Sequence, residues 1–278
     1  MTGPLPMTPG RWVALITGVP VALALIGWTG LSVVAAVGVG SYRVNLTVPV
    51  HHGQAATVTA GAADISVSPG PAGRIRLLGT VRYSLVKPDV TWQRGPSSVT
   101  VHSGCSLPVG ECSTGLAATV PAGGGVVVSV GSGDLTARDL SGQVSLSSAS
   151  GNVTASAISG SSTLSDHSGD ISLTSVSGLR TVAMDDSGDV TGTGVASPDV
   201  TVTDQSGDIT LTFTVVPDQV RISDASGDIA LVLPPGSATY RVSAITASGA
   251  TSINVPRSAT SPHVITVTDQ SGNISIGQ

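Results

Sequence analysis

The chain is poor in rings and in charge. Aromatic residues make up 3% of its 278 residues and charged residues 10%. Phe213 is the one phenylalanine and Lys87 the one lysine. With a net charge of −5 and scattered arginines, no basic stripe exists to follow a phosphate backbone, which excludes nucleic acid as a partner. Strong helix formers are outnumbered by Ser, Thr, Val, Ala and 35 glycines, a mixture suited to narrow, tightly stacked β structure.

Cysteine is nearly absent as well. Cys105 and Cys112, in "CSLPVGEC", lack the histidine neighbours that a four-ligand zinc set requires. Pro108 and Gly110 lie between them, and a turn of that size brings two cysteines within disulfide reach. A disulfide is expected, and with it an oxidising compartment; two free, partly buried thiols are the plainer alternative. Catalytic groupings are also missing. Asp166, His167 and Ser168 are adjacent, so their side chains diverge and cannot form a triad. His51 and His52 read as an exposed loop pair, and no phosphate-cradling glycine loop precedes a helix. No cofactor and no enzymatic activity are expected.

What the chain does have is one long apolar run and one repeat. No charged residue occurs between Arg11 and Arg43. The stretch from Trp12 to Gly40 exceeds the ~20 helical residues that span a bilayer core. It is longer than the ~7–15-residue apolar region of a cleaved signal peptide. An uncleaved transmembrane signal anchor within 1–40 is therefore expected, although "VAAVG" at 34–38 offers a cleavage site. The cysteine pair places the remainder outside the cytoplasm.

From residue 132 onward Ser-Gly pairs recur, at first every nine residues, and alternate pairs differ. One set reads "SGD" at 132, 168, 187, 206 and 226, "SGN" at 150 and 271, and "SGA" at 248. The interleaved set begins "SGQ", "SGS", "SGL" and dissolves into proline-bearing stretches. The unit is thus 18 to 23 residues with two different turns, each turn followed by a short alternating strand such as "VTV" at 200–202 or "ITL" at 209–211. One such unit cannot bury its own apolar face, but stacked units can. The fold class that follows is all-β: a single transmembrane helix, then a β-solenoid of stacked two-stranded rungs. Residues 41–125 form an irregular β region that caps the solenoid, and residues 126–278 carry the regular repeats.

Stacking aligns like residues. Asp170, Asp189, Asp208 and Asp228 form one column, and Asp166, Asp185, Asp204 and Asp224 a second. Three roles are open to them: turn caps that accept backbone N–H bonds within the same turn, a cation edge that takes calcium, or an acidic surface for a basic partner. The opposite edge collects Pro198, Pro217, Pro234, Pro235, Pro256 and Pro262, and insertions on one face of a repeat protein often bind. Because the sequence stops shortly after "ISI" (274–276), two readings of the last rung stand side by side: an open edge that pairs with a second copy or accepts a partner's strand, or an edge shielded by a local twist.

The repeated "SGD-[IV]-x-[LV]" turns at 168–173, 187–190, 206–211 and 226–231 resemble the bacterial β-strand-repeat family of unknown function, which carries the label "putative adhesin". "RWVALITGVPVALALIGWTG" followed by "SYRVNLTVPV" is similar to its membrane-anchored actinobacterial type. The resemblance implies an envelope β-solenoid and transfers no catalytic residues. The expected function is a membrane-tethered extracytoplasmic binding, adhesion or scaffolding module with an envelope protein or polysaccharide as partner. Alternatives are an envelope-stress sensor and, more distantly, an enzyme acting on cell-wall polysaccharide.

Overall fold

The computed structural model describes residues 39–51, 54–84, 87–88, 90–103 and 112–278. Among these it holds strands and no helix. In chain order they are β1 (Val39–Pro49), β2 (Ala56–Ala62), β3 (Asp64–Gly70), β4 (Arg74–Ser84), β5 (Val90–Arg94), β6 (Ser98–Ser103), β7 (Cys112–Pro121) and β8 (Val126–Ser132). There follow β9 (Leu135–Arg138), β10 (Val144–Ser148), β11 (Val153–Ile158), β12 (Ser162–Ser165), β13 (Ile171–Val176), β14 (Arg180–Met184), β15 (Val190–Val195) and β16 (Asp199–Thr203). The last are β17 (Ile209–Phe213), β18 (Gln219–Ser223), β19 (Ile229–Val232), β20 (Arg241–Thr246), β21 (Thr251–Ile253), β22 (Val264–Asp269) and β23 (Ile274–Gly277).

Two sheets result. One runs β1-β4-β7-β3-β9-β11-β13-β15-β17-β19-β23-β21, the other β20-β22-β18-β16-β14-β12-β10-β8-β2-β6-β5. From β8 onward each rung gives one strand to each sheet, paired in parallel with the same strand of the next rung. Val200 lies between Thr181 and Val220, and Ile209 between Val190 and Ile229. The alternation expected from "VTV" and "ITL" holds: Val200, Val202, Ile209 and Leu211 are buried. Each contributes about 1.5–3 kcal/mol through burial. Sheets ~10 Å apart admit aliphatic chains and few rings. Phe213 and Tyr240 are the buried rings among the described residues, each beyond the regular strand centres.

In four successive rungs the alternation breaks, for a physical reason. Asp139, Ala157, Ser175 and Gly194 occupy equivalent places and all have φ between 53° and 71°. Each left-handed residue bends its strand, so that Ile158, Val176 and Val195 turn inward three residues after the previous inward position.

The chain divides into two compact units. One comprises Met1–Tyr42, Val81–Asp89 and Gly104–Ser113; the other comprises Arg43–Thr80, Val90–Ser103 and Thr114–Gln278. In the first, the Tyr42 and Tyr83 rings tilt against each other at 6.2 Å, and Lys87 Nζ lies 4.7 Å from the Tyr42 ring centroid. The second holds the solenoid. Its early strands are out of chain order, with β3 between β7 and β9, and β2 between β6 and β8. β5 and β6 form an antiparallel pair.

The apolar run expected to cross the membrane lies outside the described residues except for its final positions, which open β1. Among the described residues no helix is long and apolar enough to cross a membrane. The expectation of a C-terminal strand edge is corrected. β23 does not end its sheet but lies between β19 and β21, and β22 lies between β18 and β20. The end rung is the preceding one, β20 and β21.

Candidate functional site

The aspartate turns join the two strands of each rung. Their glycines are fixed by crowding as much as by conformation. Gly207 has φ 152°, and a Cβ there would collide with the Gly188 carbonyl of the preceding rung and lie 3.2 Å from Asp204 Oδ2. Such a turn excludes any side chain at this position.

The two predicted columns behave differently. Asp166, Asp185, Asp204 and Asp224 are 1–3% exposed, and Asp269 joins them at 2%. They cap their own turns. Asp166 Oδ1 accepts from the N–H groups of His167 (2.8 Å) and Ser168 (3.4 Å); Asp204 Oδ1 accepts from Gln205 (2.7 Å) and Ser206 (3.2 Å). Their other oxygens are a different matter. Oδ2 of Asp166, Asp185, Asp204 and Asp224 is buried with no hydrogen-bond partner. At Asp269, Thr246 Oγ1 donates to Oδ2 at 3.2 Å. Burial pushes the carboxyls of Asp166, Asp185, Asp204 and Asp224 above their ordinary range. The turn N–H bonds oppose this, and neighbouring carboxylates add to it, Asp166 acting on Asp185 and Asp185 on Asp204. Two unit charges one rung apart, ~4.8 Å, repel by roughly 3.5 kcal/mol at an effective dielectric of ~20.

Asp170, Asp189, Asp208 and Asp228 are exposed, and their bonds leave the turn. Asp170 Oδ1 accepts from Asp189 N–H (3.0 Å), Asp189 from Asp208 (2.9 Å) and Asp208 from Asp228 (2.8 Å). The chain of acceptors starts at Asp64, which takes Asp134 N–H, and passes through Asp134 and Asn152. It continues from Asp228 to Asn273 and from Asn273 Oδ1 to the N–H of Ala250. The bonds of this column therefore run between turns and not within one, unlike the turn-cap role open to both columns. The missing acid at "SGAT" is explained by the same polarity: Ala250 is in the end rung, where no further N–H waits for an acceptor.

Among the described residues no three His, Cys, Asp or Glu side chains form a group that could hold a metal ion. Cys112 is not a free thiol, and Cys105 lies outside the described residues. His51 is exposed, with Nδ1 3.1 Å from the Pro96 carbonyl; His52 is outside the described residues.

Sequence reasoning missed a groove of about 830 Å³ on the outer face of the first sheet. Gly115 and Ala117 of β7 form its floor, and a Cβ at Gly115 would meet nothing within 4 Å. Arg43, Asn45 and Leu78 line one side, Asp64, Ser66 and Asp134 the other. Outward polar residues on alternate positions were legible in each strand; their meeting was not, because it depends on β7 lying between β4 and β3. The opposite, proline-bearing edge buries Pro217 and Pro234 and exposes Leu179 and Val215.

Parallel rungs, stacked glycines and a one-directional Asp/Asn ladder define a two-sheet β-solenoid with a structural polar edge. The chain belongs to the Toastrack DUF4097 family, whose model matches residues 89–277. Among solved structures it is similar to a "putative adhesin" from Bacteroides fragilis, at 13% identity and a TM-score of 0.51, covering 84% of this chain and 96% of that one. It is also similar to a "putative lipid binding protein" from Parabacteroides distasonis, at 9% identity and a TM-score of 0.48, covering 86% and 98%. At 13% identity the first likeness speaks to the fold alone. No curated protein matches the chain.

Proposed function

We propose that the chain is a non-catalytic binding module of the cell envelope, of the adhesion or scaffolding kind. In this reading segment 1–40 tethers it to the membrane and the solenoid lies outside the cytoplasm. The outer-face groove carries the proposal. It offers a cation at Arg43, carboxylates at Asp64 and Asp134, an amide at Asn45 and a floor of small residues, on strands paired within one sheet. Envelope proteins and polysaccharides present the complementary amides, hydroxyls and charges. The uncharged run between Arg11 and Arg43 and the Cys105/Cys112 pair support the tether and the exported side.

The test uses the full chain in detergent and isolated envelope fractions. Ala117→Trp fills the groove floor and is expected to weaken retention at least tenfold with the β-sheet signal unchanged. Undiminished retention by this variant, with loss on Leu179→Asp/Val215→Asp instead, moves recognition to the proline-bearing edge. Protease digestion of intact cells fixes topology: a protected solenoid contradicts the exported placement.

A further inference from the structure

The inner aspartates have a property that turn capping does not explain. In Asp166, Asp185 and Asp204 one oxygen is used twice, by the N–H groups that follow it, and in these three and Asp224 the other is sealed in without a donor. A Cβ at Gly169 would lie 2.9 Å from Asp166 Oδ2, and one at Gly207 3.2 Å from Asp204 Oδ2, so each second oxygen faces the glycine of its own turn. The column is continuous. Asp166 N–H bonds the Met184 carbonyl, Asp185 the Thr203 carbonyl, Asp204 the Ser223 carbonyl and Asp224 the Thr268 carbonyl, so successive carboxyls sit on successive rungs. Its ends are neutral. Ser148, buried and with an unpartnered hydroxyl, occupies the equivalent place one rung before Asp166, and Thr246 closes the far end.

The charged and titratable groups that face the column are few. They are His167 and Asp170 beside Asp166; Asp186 beside Asp185; Asp189 beside Asp204; and Asp269 beside Asp224. Among the described residues the ion pair on this edge joins His167 to Asp186 at 3.3 Å and leaves the column itself without a cation. A sealed carboxylate oxygen with neither donor nor counter-ion is costly, and the economical remedy is a proton on that oxygen.

We propose that Asp166, Asp185, Asp204 and Asp224 form a proton-binding stack, charged with protons under mildly acidic conditions, so that acidification tightens the solenoid edge. The stack titrates as a unit, because each proton relieves the charge felt by the rungs on either side.

The experiment is infrared spectroscopy of the full chain in detergent at about pH 6, where an ordinary aspartate is ionised. The expected result is a protonated-carboxyl band that disappears in the Asp166→Asn/Asp185→Asn/Asp204→Asn/Asp224→Asn variant and shrinks in Asp204→Asn alone. The single variant keeps the test available should the fourfold variant not fold. Absence of the band in the parent protein, or its persistence at full strength in Asp204→Asn, overturns the proposal. So does a calcium-dependent rise in the unfolding midpoint of the parent that the Asn variant lacks, since that result assigns the column to a cation.

Discussion

Two carboxylates in the same turn, four residues apart, do different work. Asp204 is buried, bonds only within its own turn and has an oxygen with no donor. Asp208 is exposed and accepts the N–H of Asp228 from the next rung. The inner residue shapes the turn; the outer one joins turns. A repeat can therefore keep the same letter at two positions for reasons that are nearly opposite, one making the other's desolvation tolerable by holding the rungs in register.

Substitutions at four positions sharpen this contrast. The largest effect is expected at the glycine between the two. Gly207→Val meets the Gly188 backbone and a φ of 152°, and should cost about 3 kcal/mol or more in urea unfolding. Next is the outer acceptor. Asp208→Ala strands the Asp228 N–H and should cost about 1–2 kcal/mol, most of it restored by Asp208→Asn, which keeps the acceptor oxygen. A cost as large for Asn as for Ala would mean that charge, not the bond, matters there. For the inner residue the sign reverses. Asp204→Asn keeps an oxygen for the two turn N–H groups and removes the buried charge, so at pH 7 it should stabilise by about 1 kcal/mol in the same assay. Ala250→Asp is the smallest. It adds an acceptor where no rung follows, and should change stability by no more than about 0.5 kcal/mol. A gain well beyond that would show that the end rung receives a further strand.

How far the sequence reveals all this varies along the chain. The repeat length, the two unlike turns, the glycine requirement and the inward Ile209 and Leu211 are legible because each rests on local spacing. The outer column's partner is not, since Asp208 and Asp228 meet only once the rung register is known. The end of the stack misleads for a related reason. The strands at 241–253 and 264–277 carry similar turns, "SGA" and "SGN", and the long segments around them let the chain fold the second between β19 and the first. Ala250 in place of an acid is the signal that could have identified the end rung. The groove is the least legible feature, because Arg43, Leu78, Gly115 and Asp64 come together through a strand order that no local pattern encodes.

The most direct measurement is unfolding free energy between about pH 4.5 and 8 for the parent and Asp204→Asn. A carboxyl whose pKa is raised by folding stabilises the fold at low pH and loses that contribution as pH rises through its folded value. Asp204→Asn should therefore gain on the parent as pH rises through that range. A slope in Asp204→Asn no different from the parent's would contradict the role given to the inner column.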